Sequence, residues 1–132
     1  MVARTNIADA TDLTVAQVLH KRCDALDAGV TVAEVREWFA ASSHRRMAFL
    51  ADEDRYVGSL TREDLEGEVD PNTRAADFAH DGPTVDPDAP ARFGYEVATR
   101  TQARRVPAVD PAGKLLGVLA VTDDLGGFCG TS

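Results

Sequence analysis

Tyr56-Val57-Gly58-Ser59-Leu60-Thr61-Arg62-Glu63-Asp64-Leu65 decides the reading of this chain. An apolar strand runs into a glycine, then a threonine, then a carboxylate three residues on. A near-copy follows at Leu115-Leu116-Gly117-Val118-Leu119-Ala120-Val121-Thr122-Asp123-Asp124-Leu125, with Gly117 standing 59 residues after Gly58. A period of that size sets the architecture.

Working outward, each copy sits in the same order of elements. Thr14-Val15-Ala16-Gln17 and Thr31-Val32-Ala33-Glu34 are capping boxes that open helices. In the second of these helices Val32, Val35 and Phe39 share a face, with Trp38 beside them. Ala25-Leu26 reads as a short strand before the turn Asp27-Ala28-Gly29. Met47 to Leu50 and Tyr56 to Leu60 form a hairpin about Asp52-Glu53-Asp54, and Thr61 opens a helix through Leu65.

The second copy runs from the helix Thr73 to Phe78, through Pro83-Thr84-Val85-Asp86, to a helix entered at Pro90. Phe93, Val97 and Ala98 are expected to supply that helix's buried face. Val106 to Val109 and Leu115 to Ala120 make its hairpin about Asp110-Pro111-Ala112-Gly113. A last helix is expected to be cut short by Gly126-Gly127. The segment before Thr11 reads as a loose arm and Phe128 to Ser132 as a frayed tail. The fold class is thus α/β (α+β), with repeat 1 at residues 11–66, a linker at 67–72, repeat 2 at 73–126 and a tail at 127–132. Neither half can cover its own sheet, so two halves related by a pseudo-two-fold are expected to share their burial.

Composition narrows the function. The net charge is −8, which argues against a nucleic-acid partner. A mononucleotide needs only a few local cations, and Arg45-Arg46 and Arg104-Arg105 recur at the same 59-residue offset. No apolar run approaches the ~20 residues of a membrane span, and no signal-peptide core opens the chain. Two cysteines, Cys23 and Cys129, are too few for a disulfide scaffold, so a cytoplasmic setting is the simplest expectation. His20-x-x-Cys23 has no second pair to complete a metal site, and His44 and His80 are isolated. No nucleophile–base order or phosphate-binding loop stands out, so no enzyme is expected.

This arrangement resembles a tandem pair of cystathionine-β-synthase (CBS) domains, the Bateman module. The resemblance runs from about Thr11 to Leu125. It is carried by Arg46, Gly58, Thr61 and Asp64 in repeat 1, and by Arg105-Val106-Pro107-Ala108-Val109-Asp110, Gly117 and Asp123 in repeat 2. It implies two βαββα repeats, each a small three-stranded sheet with two helices, and a regulatory role through AMP, ADP, ATP or S-adenosylmethionine bound in two clefts. Asp64 and Asp123 would each accept a ribose cis-diol, and Thr61 would bond ribose or phosphate, helped by the amides that start its helix. The adenine wall of the Asp64 cleft would come from Gly82-Pro83 and Ala103-Arg104. That of the Asp123 cleft would come from Cys23-Asp24 and His44-Arg45. Arg46 and Arg105 would meet phosphate.

Two departures weaken the second cleft. Ala120 stands where Thr61 stood, with Thr122 near enough to compensate in part, and Ala48 stands where Pro107 is expected. The resemblance further implies a homodimer. Its partner would be a regulated enzyme or transporter, with a ligand-free association module as the alternative. Read without the resemblance, Thr61-x-x-Asp64 is a helix cap, and the arginines are solvated or paired with acids.

Overall fold

The computed structural model describes residues 4–19, 25–43, 45–80, 82–101, 103–122 and 124–129. Its contacts divide the chain into two compact units, residues 24–82 and residues 1–23 with 83–132. The sequence repeats and the contact units interleave: each unit takes its opening helical turn from one repeat and its hairpin from the other.

The unit of residues 24–82 is built on strands β2 (Leu26–Asp27), β3 (Met47–Asp52) and β4 (Arg55–Thr61), in the order β2-β3-β4. β2 runs parallel to β3, and β3 pairs antiparallel with β4 about a tight turn in which Glu53 takes a positive φ of 56°. Helix α2 (Val32–Ala40) covers the sheet. Its Thr31–Glu34 capping box closes in both directions, the Glu34 N–H donating to Thr31 Oγ1 and the Thr31 N–H to Glu34 Oε1, each at 3.3 Å. Val32, Val35 and Phe39 are buried with Leu50 and Leu60. The linker end folds back as a 3-10 turn, Ala75–Phe78. It docks at the start of α2 through Val32 N–H to Thr73 O and Ala75 N–H to Val30 O, both 2.9 Å.

The other unit mirrors this pattern. Helix α1 (Val15–Val18) opens on Thr14, whose N–H donates to Gln17 Oε1 at 2.9 Å. It docks at the start of helix α3 (Ala91–Thr99) through Val15 N–H to Ala89 O, 2.8 Å, and Ala91 N–H to Leu13 O, 2.9 Å. Strands β5 (Arg105–Val109) and β6 (Leu115–Ala120) pair antiparallel, and Val85 bridges to Ala108 in parallel. Val15, Val18, Val106, Leu119 and Phe128 lie in this core.

Four expectations are corrected. The supposed loose arm is strand β1 (Arg4–Asn6) followed by a 3-10 turn, Ile7–Ala10, in which Ala10 is buried. The supposed tail is strand β7 (Gly127–Cys129), paired antiparallel with β1, and Phe128 is fully buried. Among the described residues no helix follows β6. A turn with Leu125 at φ 61° leads into β7 instead, held by Tyr95 Oη donating to Leu125 O at 2.6 Å. Phe93 is 51% exposed, because Ala91, Gly94 and Ala98 take the inward positions of α3. A Cβ on Gly94 would stand 3.0 Å from both Leu119 Cδ1 and Val15 Cγ2, so that face has no room for a larger residue.

The constant 59-residue offset also fails inside the hairpins. Thr61 pairs with Met47, but Ala120 pairs with Arg105. Leu50 receives the parallel partner Leu26, and Ala108 receives Val85. The first hairpin strands therefore correspond at 58 residues while the return strands correspond at 59. The connection before β5 is one residue shorter than that before β3, and the turn Asp110–Lys114 is one residue longer than Asp52–Arg55. In that longer turn Gly113 has a φ of 89° and Asp110 Oδ1 accepts the N–H groups of Ala112 and Lys114. Phe49, not Ala48, occupies the position of Pro107. Arg104 is the counterpart of Arg46, and Arg105 that of Met47.

Candidate functional site

The corner after β4 is assembled from both ends of its unit. Residue 80 is clamped to β4 by two backbone bonds, Ser59 N–H to His80 O at 3.1 Å and His80 N–H to Ser59 O at 2.8 Å. Gly58 makes that approach possible, since a Cβ there would stand 3.0 Å from Ala79 Cβ and 3.2 Å from His80 O. Beyond Thr61 the chain makes a single 3-10 turn, Glu63–Leu65, rather than the expected helix. One such turn has too few aligned peptides to present a helix-dipole anion site. Leu65 is buried and anchors it, and Arg36 Nη2 donates to Leu65 O at 2.7 Å.

Asp64 projects back from this turn. Its Oδ2 accepts the Thr61 N–H at 2.8 Å and the Thr61 Oγ1–H at 3.1 Å. Its Oδ1 lies 2.8 Å from His80 Nε2. Burial pushes the carboxyl's pKa up. The Thr61 backbone N–H, the His80 ring, the Thr61 hydroxyl and the His80 charge together outweigh that and hold it below the ordinary value. The corner thus presents an ionised carboxylate beside a hydroxyl, and it is also the local cap that the four residues alone allow.

Arg62, which sequence reasoning did not single out, fastens the end of α2 to this corner. Its Nη2 donates to Phe39 O at 2.8 Å and Ser42 O at 2.7 Å, and its Nε donates to Arg45 O at 3.0 Å. The guanidinium sits 5.0 Å from the Phe39 ring centroid. Helix ends leave their last carbonyls without intrahelical partners, and a cation there satisfies them. Arg45 is engaged likewise, with Nη1 donating to Trp38 O at 2.6 Å and its guanidinium 4.6 Å over the Trp38 ring. Arg46 is half-buried in the same connection. His80 carried no usable sequence signal, because nothing local announces that a linker histidine reaches a carboxylate 16 residues earlier.

Of the remaining candidates in this unit, Gly82 has open space where a Cβ would lie, and His44 falls outside the described residues. The chain passes from one unit to the other between Gly82 and Pro83.

In the second unit Pro83 is exposed, Ala103 is buried, and Arg104 takes a positive φ of 54° with its carbonyl accepting the Val121 N–H. Arg105 Nη1 turns back to Ala103 O at 2.8 Å, and its N–H is held by Thr101 Oγ1 at 3.0 Å. Ala120 is buried, and Thr122 Oγ1 donates to Asp124 Oδ1 at 2.6 Å, which also takes the Gly126 N–H. The hydroxyl expected to replace Thr61's is thus spent on its own turn. Asp123 and Cys23 lie outside the described residues. So does the His20–Cys23 pair, and among the described residues no cluster of three metal-ligating side chains occurs. No helix among them is long and apolar enough to cross a membrane.

No family model and no curated protein sequence matches the chain. Solved structures do. The cystathionine β-synthase pair domain of a protein from Shewanella oneidensis superposes with a TM-score of 0.73 at 20% identity, covering 81% of this chain and 64% of that one. A CBS-domain protein from Pyrobaculum aerophilum, complexed with AMP, gives 0.70 at 23% identity, covering 82% and 87%. A CBS-pair protein from Arabidopsis thaliana gives 0.69 at 18% identity, covering 81% and 87%, and the protein of that name has also been solved with AMP. The chain therefore spans a little under two thirds of the first of these and most of the other two. Its fold is that of a tandem CBS-domain pair, a mixed helix-and-strand module of small sheets.

Proposed function

We propose that this chain is a regulatory module that binds an adenine nucleotide or related adenosyl compound at the Thr61–Asp64 corner. The observation that carries the reading is the carboxylate of Asp64, held ionised next to the Thr61 hydroxyl at the end of β4. Two acceptor oxygens on one carbon match two adjacent ribose hydroxyls. AMP in two structures of the same fold supports the choice of ligand class. The loop of Arg45 and Arg46, tied by Arg62 to the segment that carries Asp64, is where phosphate would lie. Arg46 remains the better phosphate candidate, since Arg45 is committed to Trp38.

Adenine would rest against Gly82, Pro83, Ala103 and Arg104 when the two repeats face each other across a pseudo-two-fold, with repeats at 11–66 and 73–126. A second corner at Thr122 and Asp123 would bind more weakly, because Ala120 offers no hydroxyl. The module would act as a cytoplasmic homodimer on a partner protein, with ligand shifting the balance between packings of its halves.

A thermal-shift titration against AMP, ADP, ATP, S-adenosylmethionine and guanine nucleotides tests this. A ligand at a hundred times its Kd stabilises the folded state by ~2.7 kcal/mol. One adenosyl compound should raise the melting temperature in the parent and leave Asp64→Ala unmoved. Equal shifts in both would remove Asp64 from the site, and no shift with any compound would favour the association module.

A further inference from the structure

The Asp64 carboxylate carries more donors than a ribose site can leave in place. An ionised carboxylate offers about four acceptor directions. Oδ2 takes the N–H and the hydroxyl of Thr61, and Oδ1 takes His80 Nε2. About one direction remains, whereas a cis-diol donates two hydrogen bonds. One existing donor must leave when a ribose docks.

We propose that His80 is the specificity residue of this corner: its imidazole occupies the acceptor that the second ribose hydroxyl needs, and a cis-diol displaces it. This rests on the adenosyl-binding reading above. The Thr61 N–H cannot turn away, because it belongs to the end of β4. His80 can. Its side chain is 67% exposed against 21% for Asp64, so water solvates the ring once it swings out. Its backbone stays fixed by the two bonds to Ser59, so the swing needs a side-chain rotation and no movement of the strand. A ligand with a single hydroxyl fits the remaining direction with His80 in place. The imidazole therefore narrows the preference for ribose over 2′-deoxyribose, by taxing only the ligand that needs both acceptors.

The test is calorimetric titration of AMP and 2′-deoxy-AMP into the parent, His80→Ala and Asp64→Ala. The expected result is AMP binding about five-fold tighter in His80→Ala, the equivalent of one exposed hydrogen bond no longer to be broken. Affinity for 2′-deoxy-AMP should not change. AMP affinity that is lost in Asp64→Ala yet equal or weaker in His80→Ala overturns the displacement and leaves the site standing. Equal gains for both ligands overturn the role in discrimination. An absence of AMP binding in the parent overturns the proposal together with the site.

Discussion

Replacing Arg62 by methionine keeps the apolar stem against Phe39 and removes the guanidinium. Three carbonyls, those of Phe39, Ser42 and Arg45, then lose their donor. A hydrogen bond contributes ~1 kcal/mol net in a half-buried setting, with charged donors at the upper end. The cation over the Phe39 ring adds ~0.5 kcal/mol. Water reaches some of the freed carbonyls, so the sum is about 3 kcal/mol rather than more. For a chain of this size ~1 kcal/mol moves the melting temperature by about 4 °C, so the variant should melt about 10–12 °C lower. Circular dichroism follows the whole fold. Fluorescence of the single tryptophan follows the stapled end of α2, because Arg45 bridges Arg62 to Trp38. A loss below about 3 °C with an unaltered Trp38 spectrum would refute the staple.

Gly127→Ala would place a methyl against the Thr5 carbonyl oxygen, 3.0 Å from Asn6 Cα and 3.1 Å from Thr5 C. These are backbone atoms of β1, so the β1–β7 pair must open, and overpacking of this kind costs about 1–3 kcal/mol. Hydrogen exchange at residues 4–6 should accelerate, and unchanged exchange would show that the pairing tolerates the methyl. Because the folded Asp64 carboxyl sits below its unfolded value of ~3.9, its contribution is complete above that pH. It is lost as pH falls through the folded value. Asp64→Asn should flatten the decline of melting temperature below about pH 4, and a parallel decline in both proteins would contradict the shift.

The sequence foreshadowed most of the fold where its signals were local. Capping boxes at Thr14 and Thr31, the apolar face of α2 and the turn at Asp110-Pro111-Ala112-Gly113 each declare themselves within a few residues, and each is present. Long-range pairing left no such mark. Arg4–Asn6 is three residues long and polar, and only its partner more than a hundred residues away makes it a strand. Phe93 misled because hydrophobicity was weighed without the space available, which Leu119 and Val15 restrict to glycine at the next position. At the site, Thr61 and Asp64 were visible as a motif. Arg62 and His80 were not, because their partners come from a helix end and a linker.

The two compensating length changes in the hairpins constrain how the repeats can be recombined. Side chains alternate across a strand, so a slip of one residue turns a whole strand inside out. In each repeat the first hairpin strand keeps its buried run, Ala48 to Ala51 in one and Val106 to Ala108 in the other. A chimera that exchanges the strands at an offset of 58 preserves that facing. One cut at the more obvious 59 would drive the Arg105 side chain toward the position of Arg46 and point the Val106 and Ala108 faces at water. Modules assembled from such halves must therefore carry the connection and its turn together, as a single inherited block.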